Sequence, residues 1–380
     1  MKRTLYLCEQ DNLLDLAGCK GFNGYNRIIC NELGIYSNSF IKIVDCISVL
    51  IFLSLIFFSF FFYTGCLFWE LLRLLAKVKK GRGIEDFTGK VFLCYTPLLE
   101  QRLHSTDIKV NDATWVVGPG IMLKDAKDKK VICLDYLRFK QIFSVYTDCL
   151  SVLWDYLTTH KSLYPIHKAW SFYSQKVQLD IITKKADIYF SNQCDRWALL
   201  FDNLPSKSKT LVQHGITFST PLPWRLKYVD MFYTFSERAA NEACLSIIEG
   251  RPEVRIMVPT ITLTDSPSSK LMVLIVSHIN HFELEKRIIK SLSQIPDIQI
   301  IVKKHPTLAN YGCYTSLQEE FGFRFIVDSE FPRADYVISY FSTLAYEYMA
   351  YKIPVYVYMK EEDCDFSQIE RDIKQLQKRK

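Results

Sequence analysis

The sequence predicts an α/β protein of two parallel-sheet domains facing a cleft, preceded by an apolar membrane helix. Three observations predict it. Apolar runs of strand length alternate with helical stretches from residue 90 onward. A polar, proline-containing stretch, PTITLTDSPSSK at 259–270, interrupts that alternation. One segment, 46–69, carries no charge and no proline.

A chain of 380 residues is long enough for two domains with separate cores. Hydrophobic residues make up 49% and charged residues 23%, the balance of a globular chain. The formal charge of +6 is too mild for a concentrated nucleic-acid face, so no nucleic-acid partner is expected. It suits an anionic small substrate or an anionic membrane surface. The twelve cysteines, Cys8 to Cys364, are scattered without C-x-x-C pairs. That speaks against a zinc site and against a disulfide framework, and for reduced thiols.

Residues 1–45 form an N-terminal segment with two open readings. RTLYLCEQD is either a strand and loop of the first α/β domain or lies across the membrane from it. The next segment, CISVLIFLSLIFFSFFFYTGCLFW at 46–69, spans about 36 Å as a helix, enough to cross or embed in a bilayer. Arg73, Lys77, Lys79, Lys80 and Arg82 follow it, against Lys42 before it. This bias places residues after 70 in the cytoplasm. Residues 70–89 then read as a basic juxtamembrane helix and linker.

The first α/β domain covers 90–262. KVFLCY, ATWVVGPG, KKVICLDY, ADIYFSN, KTLVQHG, VDMFYTFS and VRIMVP read as strands, and 144–160 as a helix. The second covers 263–380, with strands LMVLIVS, IQIIVKKHP, FRFIVD, ADYVISY and IPVYVYM. Its charged tail helix, SQIERDIKQLQKRK, is either a solvated face or a return to the first domain.

Three strand ends carry the chemistry. IQIIVKKHP ends in Lys303, Lys304 and His305, where open α/β sheets place ligands. ADYVISYFSTLAYEY passes through Ser339 to Ser342 and Thr343 at a helix start, a ready anion site, with Glu347 one turn further in reach of ribose hydroxyls. The plain alternative is helix capping. LVQHGITF ends in His214, with Gly215 permitting close backbone approach. A histidine suits proton abstraction from an acceptor hydroxyl. His278 and His281 stand at H-x-x-H spacing without acidic or thiol partners, so no metal is expected. Asp187, Asp195 and Asp230 are secondary candidates for an acceptor-side base.

The trio QHG, KKHP and ISYFSTLAYEYMAYKIPVYVY resembles bacterial surface-polysaccharide glycosyltransferases of the two-Rossmann-domain, GT-B type. It is similar to capsule sialyl- and polysialyltransferases, capsule Kdo transferases and polyglycerol-phosphate transferases. The resemblance covers roughly 90–360 and is strongest over 298–358. It implies that His305 protonates or binds the leaving phosphate, with Lys303 or Lys304 and Ser339 beside it. Ser342 and Thr343 would bind the same phosphate, Glu347 would hold the ribose, and His214 would activate the acceptor. Two departures stand out: the second serine of the motif is Thr343, and there is no D-D-G or E-D-G acidic motif.

The expectation is an inverting glycosyltransferase that moves a sugar from a nucleotide donor, a CMP-sugar among the candidates, to a growing capsular or other surface polysaccharide. It implies a nucleotide-sugar donor as substrate, no separate cofactor and a glycan or lipid-linked glycan acceptor. It also implies the bacterial inner membrane, with the catalytic domains in the cytoplasm and other capsule-assembly proteins as partners. A polyol-phosphate transferase and a catalytically silent, glycosyltransferase-like scaffold of a capsule assembly complex are the alternatives.

Overall fold

The computed structural model describes residues 48–77 and 87–379, apart from 97, 112, 119–120, 124–128, 133, 135–136, 160–168, 216–223, 266–267, 278–280, 305–311, 327–329, 341 and 359–363. His305, His278 and the N-terminal segment therefore lie outside the described residues.

Two α/β domains follow one another, each on a wholly parallel sheet. The first carries strands β1 (Thr88–Cys94), β2 (Thr114–Val117), β3 (Lys130–Ile132), β4 (Lys185–Phe190), β5 (Ser208–Val212), β6 (Met231–Thr234) and β7 (Glu253–Ile256). They lie in the order β3-β2-β1-β4-β5-β6-β7. The second carries β8 (Leu271–Val276), β9 (Ile298–Lys303), β10 (Arg324–Ile326), β11 (Tyr336–Tyr340) and β12 (Val355–Tyr358), in the order β10-β9-β8-β11-β12. Every residue of β8, LMVLIV, is buried, the pattern of a central parallel strand covered on both faces.

The helices are α1 (Ser48–Lys77), α2 (Leu98–Leu103), α3 (Phe139–Thr159), α4 (Ala169–Ile182), α5 (Arg196–Asn203) and α6 (Glu237–Ser246) in the first domain. In the second they are α7 (Phe282–Ser293), α8 (Gly312–Phe321), α9 (Thr343–Ala350) and α10 (Phe366–Gln377). Local chemistry fixes several ends. Asp195, Ser236 and Asp365 accept from backbone N–H groups at the starts of α5, α6 and α10. Gly322, at φ +67°, closes α8 by donating to the Gln318 carbonyl at 2.8 Å.

The apolar segment does form a helix, and its Ile56–Ala76 stretch is long and apolar enough to cross a membrane. It is not detached from the domain. Tyr63 is fully buried in the first domain's core, and Ile56, Cys66, Leu67, Leu71 and Leu74 pack against that core. The Thr64 and Tyr146 hydroxyls stand 3.3 Å apart, tying α1 to α3.

The tail corrects one expectation. It does not return to the first domain. Ile369 and Ile373 of α10 belong to the second domain's own core, and Glu370 and Asp372 accept from Ser291 (2.8 Å) and Tyr336 (2.7 Å).

Candidate functional site

In each sheet the chain reverses direction once, between β1 and β4 in the first and between β8 and β11 in the second. Ligands of open α/β sheets sit outside the carboxyl ends of strands at such switch points. Both of these carboxyl edges hold polar groups.

At the first switch point, Tyr95 follows β1, the triplet Ser191-Asn192-Gln193 follows β4, and Gln213-His214-Gly215 follows β5. Tyr95 is wedged between the rings of Trp197 and Phe201, at 4.5 and 4.9 Å. Gln213 accepts from Thr234 Oγ1 at 2.5 Å and donates to the Gly215 carbonyl at 3.0 Å. Gly215 N donates to Gln193 Oε1 at 3.1 Å. These bonds hold the His214 loop from both sides. A Cβ on Gly215 would meet only Gln193 Oε1, at 3.5 Å, so protein packing does not demand the glycine.

Tyr95 Oη, Ser191 Oγ, Asn192 Oδ1 and Gln193 Nε2 are buried and find no hydrogen-bond partner among the described residues. An unsatisfied buried polar group costs about 1–3 kcal/mol, and four of them gather at this edge. His214 adjoins them. Its Nδ1 lies against the Ser191 carbonyl, which fixes Nδ1–H as the donor and leaves Nε2 as a proton acceptor. Burial pushes the imidazole pKa below the ordinary value of 6.5, and the Arg102 charge pushes the same way, against the Ser191 carbonyl and Asp195. The ring is therefore neutral at neutral pH, the form a general base needs.

At the second switch point, Ser277 follows β8 and its hydroxyl donates to the Lys303 carbonyl at 3.0 Å. Lys303 is buried. Its Nζ donates to the Glu330 carbonyl at 2.9 Å and sits 4.3 Å from the Phe331 ring centre. Lys304 is half-buried, with its backbone N–H on the Ile326 carbonyl at 3.1 Å. Ser339 is fully buried and donates to the Tyr340 carbonyl (2.5 Å), with Ser342 Oγ 3.2 Å away. Ser342 stands at the N-cap of α9 in extended backbone, yet its hydroxyl makes no capping bond. Plain capping is thus not what this side chain does, and the first N–H groups of α9 are not closed off by it. Ser342 and Thr343 are both half-buried.

Arg102, on α2 directly after β1, joins the two edges. Its Nη1 donates to Glu347 Oε1 at 2.5 Å and to Thr260 Oγ1 at 3.3 Å, with the guanidinium 4.9 Å from the Phe235 ring centre. Glu347 also accepts from Thr260, Oε1 from the hydroxyl and Oε2 from the backbone N–H, both at 2.7 Å. Its neighbour Tyr346 stacks on Phe235 at an angle of 10° and donates to Glu242 at 2.8 Å. The helix that opens at Ser342 is therefore docked on the first domain through a buried ion pair and an aromatic stack.

The remaining sequence candidates are placed as follows. Asp187 and Asp230 stand at the amino-terminal part of β4 and just ahead of β6, away from the carboxyl edge, accepting from Ser208 (2.7 Å) and Lys209 N (2.8 Å). Asp195 caps α5 through Ala198 N at 2.9 Å and accepts from Asn192 Nδ2 at 2.8 Å. The His281 ring packs on Tyr340, with centres 4.1 Å apart. Among the described residues, no three His, Cys, Asp or Glu side chains gather as a metal site would require. Sequence reasoning missed Arg102, Tyr95 and the Ser191-Asn192-Gln193 triplet. The triplet had a readable signal, three polar residues directly after the strand ADIYF. Arg102 had none, since its partner lies 245 residues away.

No family model matches the chain, and no curated protein matches it. Among solved structures it is similar to a sucrose-phosphate synthase from Thermosynechococcus elongatus, with 12% identity over 71% of this chain and 81% of that one and a TM-score of 0.36. MurG from Acinetobacter baumannii has 10% identity over 76% and 90%, at a TM-score of 0.36. UGT71G1 from Medicago truncatula, complexed with UDP-glucose, has 11% identity over 74% and 81%, at 0.34. Likenesses this distant carry no argument about chemistry, which rests on the chain's own residues.

Proposed function

We propose that the chain is a glycosyltransferase of the two-domain GT-B type, taking a sugar from a nucleotide donor, a CMP-sugar among the candidates, to a glycan or lipid-linked glycan acceptor of surface polysaccharide. In this reading it works at the cytoplasmic face of a bacterial inner membrane, beside other capsule-assembly proteins. One observation carries the reading: a neutral, half-buried His214 among unpartnered polar groups on one sheet edge, joined through Arg102 and Glu347 to the uncapped helix start at Ser342 on the other.

Within this reading the labour divides as follows. The acceptor hydroxyl lies among Ser191, Asn192, Gln193 and Tyr95. His214 Nε2 takes its proton as the oxygen attacks the anomeric carbon, and the bond from that carbon to the donor phosphate breaks, inverting the centre. The departing nucleotide carries the negative charge to the start of α9, where backbone N–H groups with Ser342 and Thr343 receive it. The sequence motif would add Lys303, Lys304, His305 and Ser339 to this side, Lys303 only if its Nζ leaves the Glu330 carbonyl. Glu347 is buried and already accepts from Arg102 and twice from Thr260, so a ribose hydroxyl could reach the acceptor site left on Oε2 only if the contact between the domains loosens.

That last requirement favours a second reading, a catalytically silent scaffold of the same fold, because both Glu347 oxygens are already engaged by protein. Turnover separates the two. Labelled CMP-sugars, UDP-sugars and CDP-polyols are offered to the full-length protein in membranes. Transfer from a nucleotide sugar supports the reading, transfer of the polyol phosphate from a CDP-polyol replaces it with a polyol-phosphate transferase, and none from any donor replaces it with the scaffold.

A further inference from the structure

Helix α1 has two faces. Tyr63, Ser59 and the residues that pack on the core repeat at helical spacing, while Phe57, Phe58, Phe60, Phe61, Phe62, Phe68 and Trp69 on the remaining surface are 43–67% exposed. Helix α3 continues that apolar surface. It runs beside α1 in the opposite sense, Thr64 meeting Tyr146 and the 56–61 turns meeting Leu150, Leu153 and Trp154. Between the two lies an open apolar groove of about 620 Å³. Phe139, Phe143 and Trp154 of α3 are 57%, 41% and 63% exposed.

We infer that α1 and α3 together form one lipid-docking face and that α1 lies in the plane of the bilayer interface instead of crossing it. The inference deepens the membrane attachment in the reading above and does not depend on the transferase chemistry. The packed face of α1 runs from Ile56 to Leu74, about 27 Å along the axis, nearly the thickness of a hydrocarbon core. A perpendicular helix would drag α3 through the membrane with it. The other side of α3 buries Ile142, Val145, Cys149 and Val152 in the sheet domain's core, and an open sheet cannot enter lipid. Only an in-plane arrangement wets the domain and greases both helices.

Two observations favour a bilayer over a second copy as the occupant. The hydroxyls on this surface are satisfied within their own helices: Thr64 donates to the Phe60 carbonyl, Thr147 to Ser144 and Ser151 to Thr147, each at 2.9 Å. That is how hydroxyls are tolerated in an apolar medium. The antiparallel register also brings Arg73 of α1 level with Arg138, just ahead of α3, and Lys140 in its first turn. Cations at one end of an aromatic surface suit anionic headgroups.

Tryptophan quenching in the full-length protein tests this. Wild type, Trp69→Phe and Trp69→Phe/Trp154→Phe are reconstituted with vesicles holding phosphatidylglycerol and lipids brominated either shallow or deep in the chain. In-plane docking predicts that Trp69→Phe retains quenching, stronger from shallow bromines, and that the double variant loses most of it. Phe139→Ser/Phe143→Ser, which leaves α1 untouched, should lower vesicle partitioning on the order of tenfold. Vesicle binding with Trp154 unquenched would mean that α1 spans and the in-plane inference is wrong. Failure to float with vesicles, together with a dimer in sedimentation, would overturn membrane attachment itself and make this face a subunit interface.

Discussion

The two domains follow one plan, yet they treat buried polarity at their functional edges in opposite ways. In the first domain, Tyr95, Ser191, Asn192 and Gln193 each keep a buried polar atom without a partner. In the second, Ser277, Lys303 and Ser339 donate to backbone carbonyls close by. An edge of directional, unsatisfied donors and acceptors is matched to the hydroxyls of a neutral sugar. An edge where Ser277, Lys303 and Ser339 are satisfied and Tyr358 Oη, at the end of β12, is the exception among the described residues, with an uncapped, half-buried helix start, is matched to an anion, which needs N–H groups and positive charge more than exact donor–acceptor pairing. In the proposed reading this contrast goes with the acceptor at one edge and the nucleotide at the other.

Breaking the chemistry should produce the largest effect. His214→Ala removes the base and should lower kcat by roughly a hundredfold to ten-thousandfold, with nucleotide affinity unchanged in a titration. Next comes the link between the edges. Arg102→Ala leaves Glu347 buried without its cation and should destabilise the fold by about 3–5 kcal/mol, read in thermal or denaturant unfolding. A paired Arg102→Met/Glu347→Leu variant should recover much of that loss, because no uncompensated charge remains.

A smaller effect sharpens the assignment. Asn192→Ala deletes one unpartnered acceptor, together with the Nδ2 donor to Asp195, and should raise the acceptor KM about two- to tenfold, the worth of about one hydrogen bond of 0.5–1.5 kcal/mol. The donor KM should not move. The pH profile gives the finest test. His214 must be neutral to act, and its pKa is held below 6.5 by burial and by Arg102. The acid limb of kcat/KM should therefore lie below the ordinary histidine value, with activity lost as pH falls through it. In Arg102→Gln, which removes the nearby positive charge, that limb should move to higher pH.

Much of this was legible in the chain. Strand β8 is apolar at every position, and β9 is apolar except at Gln299 until Lys303, so parallel strands and a polar carboxyl edge could be read directly. His214 was legible because it interrupts an apolar run beside a glycine. What could not be read was pairing at a distance. Glu347 looked like a ribose ligand by its place one turn into a helix, and only folding shows that Arg102 and Thr260 reach it. Helix α1 posed the same difficulty. Its composition fits a membrane span, but the place of Tyr63 in the first domain's core depends on elements such as α3, about eighty residues further along. Composition records what a segment tolerates, whereas its neighbours decide which face it shows.

The central claim, one edge for the nucleotide and the other for the sugar acceptor, is tested most directly by calorimetric titration of CMP, UDP and CDP into three full-length proteins. These are wild type, Asn192→Ala and Ser342→Ala/Thr343→Ala. The account predicts that one nucleotide binds wild type and Asn192→Ala equally and binds the Ser342/Thr343 double variant at least about tenfold more weakly, as expected when hydroxyls at a helix start no longer meet a phosphate. Equal nucleotide affinity in wild type and the double variant, or loss of affinity in Asn192→Ala alone, would contradict it.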